Sequence, residues 1–166
     1  MNALARFLGT VAGAGYLRPA PGTWGSLAAL PLAWALHVLG GFPLLALVTL
    51  ATFLGGWWAT GVIIADGPDH DPSEIVIDEV VGQWIALMPL SFSAWRMSLD
   101  ITLLWPGWIA AFLLFRLFDV SKFGLIGWAD RRGDALGVML DDVIAGVFAA
   151  IGVVILAGLW HGVIGR

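Results

Sequence analysis

The chain has 166 residues, 60% of them hydrophobic and only 12% charged, with a mean hydropathy of +0.91 and a formal net charge of −4. These values exclude an ordinary soluble domain and make lipid the expected solvent, with room for one membrane-embedded domain over 1–166. No basic stripe suggests nucleic acid, and the absence of cysteine removes disulfides, thiolate metal sites and a cysteine nucleophile.

The N-terminal stretch MNALARFLGTVAGAGYLRPAPG has a weak apolar run broken by glycines, which argues against a cleaved signal peptide. Next comes RPAPGTWGSLAALP, with Arg18, Thr23 and Ser26 beside Gly22 and Gly25. A Gly-containing turn that feeds a helix N-terminus suits a phosphate, because several N–H groups point outward there. The Walker pattern with its Lys is missing, so a plain Pro/Gly turn is the competing reading.

Two apolar runs follow, Gly25 to Leu39 and Leu44 to Ala65, and GGFP at Gly40 to Pro43 is expected to turn one into the other. The second is long enough to span a bilayer, and its FLGGWWATG centre predicts close helix packing. DHDPS at Asp69 to Ser73 superficially resembles an aspartyl-phosphate loop, but no α/β pattern surrounds it and it reads as a turn.

In EIVIDEVVGQWIALM, Asp78 and Glu79 head a short run from Val80 to Leu90, with Glu74 one helical turn before Asp78. The polar SFSAWRMSLD at Ser91 to Asp100 is expected to turn this run into Ile101 to Phe115. LFRLFDVSKFG then sets Arg116, Asp119 and Lys122 at spacings of three, on neighbouring positions of one helical face. Finally VMLDDVIAGVFAA places Asp141 and Asp142 ahead of the clearest span, the 21 residues from Val143 to Val163. His37, His70 and His161 are scattered, which argues against a zinc site or a phosphohistidine and leaves His70 as a candidate proton carrier.

Two hairpins plus a final helix give an all-α bundle of about five apolar helices, since lipid requires backbone groups to be satisfied internally. The N-terminal, Asp66–Glu79 and Arg116–Asp142 segments then emerge on one face. That face collects six of the eight basic residues, so the positive-inside rule makes it cytoplasmic. It also holds eleven of the twelve acids, which do not set orientation and need their own explanation.

Acids at helix N-termini cap orphan N–H groups and suit the macrodipole. That explains one acid per helix start better than two adjacent pairs beside apolar helices, where a cation is expected to neutralise them. An all-oxygen donor set selects a hard cation, Mg²⁺ first, with Mn²⁺ or Ca²⁺ behind it. Arg116 and Lys122 read either as snorkelling interfacial residues or as an anion clamp beside the metal.

APGTWGS, IDEVVG, FRLFDVSK and GVMLDDVIAG, in this order and over nearly the whole chain, resemble the phosphatidylglycerophosphatase A family. The resemblance implies a bacterial all-helical membrane phosphatase that uses Mg²⁺ to remove the terminal phosphate of phosphatidylglycerophosphate, in the inner membrane with its site on the cytoplasmic face. Carried over, the matched residues are Thr23 and Ser26 with Arg116 and Lys122 toward substrate. Asp78, Glu79, Asp141 and Asp142 match toward metal and catalysis, joined in catalysis by Asp119. Phe123 stands where the family commonly has Pro after its Lys. Two other classes compete: a small transporter or ion-conducting protein, which predicts acids spread through the membrane depth, and a structural membrane subunit, which gives no reason for acids gathered on one face.

Overall fold

The computed structural model describes residues 2–67, 72–160 and 162. His70, His161 and most of DHDPS lie outside the described residues, while Pro72 and Ser73 lead into a turn. Among the described residues there is no strand, and the helices are α1 (Ala3–Gly9), α2 (Pro21–Asp66), α3 (Ile77–Met97), α4 (Trp105–Ser121), α5 (Leu125–Asp130) and α6 (Ala135–Leu159).

Helix α2 is two arms, broken where Gly40 and Gly41 leave helical geometry, with Gly41 at φ +65°. Glycine tolerates that conformation, and a Cβ there would also overlap the Trp95 ring. Pro43 falls in the first turn of the second arm, where its missing N–H is harmless. The arms run in opposite directions along α3. Along the first, Gly25 packs on Val76, Trp84 Nε1 donates to the Ala29 carbonyl at 2.8 Å, and His37 pairs with Ser91. Along the second, Phe42 meets Phe92 edge-to-face and packs on the tilted Trp95 ring, whereas Gly56 meets Ile77. GGFP is therefore the hairpin turn its composition indicated.

The second hairpin joins α3 to α4, with Gly107 against Leu90 and Gly82 against Phe115. Its connection is shorter than expected, because α3 continues to Met97 and ends only where Ser98 takes a left-handed conformation. Ser91 is buried against His37 rather than sitting in a loop. Helix α6 lies along α3 and runs antiparallel to α4, with Phe148 packed on Phe118 and Gly152 on Leu114.

Among the described residues, three helices are long and apolar enough to cross a membrane: α2, the Ile101–Ser121 segment containing α4, and α6. The short run from Ile101 is thus part of a 21-residue segment long enough to span. Their outer faces are apolar, as Leu47, Leu50 and Leu54 on α2 and Ile109, Leu113 and Leu117 on α4 are all exposed. That is the reverse of a soluble helix and matches a lipid environment. Helix α3 has lower hydropathy for a structural reason. It is the central helix, packed by both arms of α2, by α4 and by α6, so protein rather than lipid covers its polar side chains.

Helix α6 starts eight residues before the apolar run suggested. Asp134 caps it, its Oδ1 accepting the Gly137 N–H at 2.7 Å, while Arg132 and that N–H hold the Asp134 carboxyl below its usual range. Asp141 and Asp142 therefore lie inside the helix, about two turns beyond the cap, and are no caps themselves. Glu74 falls in the turn before α3, so it does not share a helical face with Asp78.

Candidate active site

Three helices bring charged groups to one end of the bundle. Helix α3 supplies Asp78 and Glu79 from its first turn, α4 supplies Arg116 and Asp119, and α6 supplies Asp141 and Asp142. All six line a single cavity of about 290 Å³ together with Lys122 and the start of α2 at Ala20 to Gly22.

The approach depends on glycines one turn deeper than the acids. Gly82 follows Asp78 by four residues, and Gly146 follows Asp142 by four. A Cβ on Gly82 would lie 2.6 Å from the Asp142 carbonyl oxygen, and one on Gly146 would overlap the Gly82 backbone. With neither present, α3 and α6 touch backbone to backbone and hold their acid pairs face to face. Gly22 does the same for the first arm, because a side chain there would collide with the Glu79 carboxylate and press on Arg116.

Within each acid pair the first residue turns back on its own helix. Asp78 Oδ1 accepts the Glu79 N–H at 3.0 Å, and Asp141 Oδ1 accepts the Asp142 N–H at 2.9 Å. Carboxylate oxygens of Asp78, Glu79 and Asp142 then lie within 4.8 Å of one another. Asp142 is only 3% exposed, and Glu79 Oε2 is buried with no hydrogen-bond partner.

Cations are too few to neutralise this cluster. Arg116 is paired with Asp119 in the same turn of α4. Lys122, the left-handed C-cap of α4, reaches Asp130 on α5 and Asp141 at 3.1 Å. Burial opposes the charge on Lys122, but the two carboxylates outweigh it and hold its pKa above the ordinary lysine value. Five cavity carboxylates thus face two basic side chains, and the converging oxygens with the orphaned Glu79 atom fit a hard divalent cation.

Asp78, Glu79, Arg116, Asp119, Lys122, Asp141 and Asp142 are therefore brought together. Thr23 and Ser26 are not part of the cavity lining, and the Ser26 hydroxyl is buried, donating to the Gly22 carbonyl at 2.8 Å. Gly22 between them lies at the site instead. Sequence reasoning missed Asp130, whose only signal was its place in a charged loop eight residues beyond Lys122, and the packing roles of Gly82 and Gly146, which the IDEVVG and DDVIAG blocks do contain.

Fold and site together define an all-helical membrane protein with a carboxylate-lined, cation-bordered cavity at one end of its helices. A family model, Phosphatidylglycerophosphatase A, matches residues 7–157, and the chain belongs to that family of phosphatases. The chain is 37% identical over 140 residues to the Phosphatidylglycerophosphatase A of Haemophilus influenzae, covering 84% of this chain and 80% of that one. It is 36% identical over 140 residues to the Escherichia coli protein of the same name, covering 83% and 74%. A Bacteroides thetaiotaomicron protein named "Putative phosphatidylinositol-3-phosphatase" is 40% identical over 151 residues, 87% of each chain. No solved structure matches.

Proposed function

We propose that the chain hydrolyses the terminal phosphomonoester of phosphatidylglycerophosphate to phosphatidylglycerol and phosphate, with Mg²⁺ held by Asp78, Glu79 and Asp142 and adjoined by Asp141. The observation that carries this reading is the convergence of three carboxylates within 4.8 Å beside Arg116 and Lys122, at one end of the apolar helices. Family membership and the names of the Haemophilus influenzae and Escherichia coli relatives support the same substrate.

Each part of the cavity has a task in such a reaction. Mg²⁺, when bound, supplies positive charge to the phosphoryl oxygens and acidifies the attacking water. Arg116 and Lys122 bind the remaining phosphate oxygens, Arg116 by its planar fork and Lys122 as a point charge. Asp119, held by Arg116, keeps that fork oriented. A carboxylate not fully engaged by the ion, with Glu79 the candidate, accepts the proton of the water through its remaining oxygen. The first turn of α2 at Gly22 approaches closely enough to offer backbone contacts to the substrate, the part assigned in sequence to Thr23 and Ser26.

Six of the basic residues lie at the cavity end of the bundle, Arg6, Arg18, Arg116, Lys122, Arg131 and Arg132, which supports a cytoplasmic orientation in the inner membrane. Acids concentrated at this one end favour the phosphatase over an ion-conducting protein.

The test is phosphate release from the purified, lipid-reconstituted chain. Turnover that requires Mg²⁺ and disappears in Asp78→Asn and Asp142→Asn variants with unchanged thermal unfolding supports the site. Normal turnover in those variants would sink it. Trapping a phosphorylated aspartate would replace attack by water with attack by a carboxylate.

A further inference from the structure

The rim of the cavity carries another cation with no part in the reaction above. Arg18 is exposed in the loop before α2, and its Nη1 donates to Ser73 Oγ at 3.4 Å. Ser73 lines the cavity, as do Ala20, Pro21 and Gly22 just beyond Arg18, so the guanidinium stands at the cavity mouth. Arg116 and Lys122 are both tied to carboxylates, whereas Arg18 makes no ion pair among the described residues. Its contact with a neutral hydroxyl is at the long end of the hydrogen-bond range. A phosphate oxygen offers a shorter, charge-assisted and bidentate alternative, and displaces the serine.

A cation at the cavity mouth with no ion pair among the described residues suits a substrate that carries a second anionic group a short linker away. We propose that Arg18 is a specificity-determining residue: it binds the phosphodiester of the lipid while the terminal phosphomonoester occupies the carboxylate cavity. The site then selects lipids with two phosphates, separated by a glycerol, over lipids with one. This rests on the phosphomonoester assignment above. The loop is short enough to serve both ends, since Arg18 at the rim and Gly22 against Glu79 are four residues apart.

The experiment compares the full chain and its Arg18→Ala and Arg18→Lys variants in mixed micelles of fixed lipid content. Substrates are phosphatidylglycerophosphate and phosphatidic acid, the latter having a phosphomonoester but no diester. Arg18→Ala should raise KM for the two-phosphate lipid about tenfold with kcat within about twofold, while leaving KM for phosphatidic acid unchanged. Arg18→Lys should fall between, because a point charge replaces a fork. Inhibition by phosphatidylglycerol, which has the diester alone, should weaken about tenfold in Arg18→Ala; this readout decides the matter even if phosphatidic acid is not turned over. Equal effects on both substrates, or no change in either KM or product inhibition, would overturn the proposal. Wild-type protein releasing phosphate from neither lipid would overturn the phosphomonoester assignment itself.

Discussion

Gly82 on α3 and Gly146 on α6 pack backbone against backbone, so closely that a methyl group on either would collide with the other helix. Each lies one turn beyond an acid of the site, Asp78 or Asp142. This contact sets the separation of the two acid pairs. Gly146→Val should therefore cost about 1–3 kcal/mol of stability by overpacking and, by parting the carboxylates, lower activity more than the stability loss explains. Thermal unfolding in detergent and phosphate release, measured on the same preparation, check this; a stable variant with full activity would contradict it.

Asp134 and Asp142 separate capping from chemistry on a single helix. Asp134→Asn keeps an oxygen for the Gly137 N–H and should leave turnover close to wild type with at most a small drop in Tm. Asp142→Asn removes a charge from the converging oxygens and should reduce kcat about 100-fold or more. If both variants lost activity equally, the distinction between cap and ligand would fail.

The raised pKa of Lys122 has a definite sign. Its folded-state value lies above its unfolded value, so the stabilisation from Asp130 and Asp141 is complete below the ordinary lysine pKa of about 10.4 and fades as pH climbs through the folded value. The Tm difference between wild type and Lys122→Met should hold steady from about pH 7 to about pH 10 and narrow only above that. Narrowing already near neutrality would mean that Lys122 is not paired as described.

Direct cation binding offers a readout independent of turnover. Mn²⁺, an oxygen-seeking reporter for Mg²⁺, should bind the wild type, be displaced by Mg²⁺, and bind Glu79→Gln at least about tenfold more weakly. Asp130→Asn, remote from the three converging oxygens but in contact with Lys122, should leave Mn²⁺ affinity nearly unchanged. Equal weakening in both variants would place the ion elsewhere.

Much of this arrangement was readable in the chain. GGFP announced its hairpin because only glycine readily accepts the conformation at Gly41, and the gathering of acids on one face followed from counting turns between apolar runs. Helix limits were less legible. The polarity of SFSAWRMSLD suggested a loop, yet Ser91 is satisfied by His37 across a helix contact that lies 54 residues away in sequence. Likewise, the hydropathy of the last run did not mark where α6 begins, since Asp134 caps two turns of helix that are largely buried within the protein.

An apolar surrounding, the helical class, the hairpin order and the residues that carry charge beside apolar helices were all legible in the chain, because composition and periodicity are local properties. How those charges divide their work depends on contacts between helices distant in the chain. Asp141 and Asp142 are chemically identical neighbours, but about 100° of helical rotation turns one toward Lys122 and the other toward Asp78 and Glu79. That division depends on how closely α3 and α6 approach at Gly82 and Gly146, a property of two surfaces in contact that neither segment states alone.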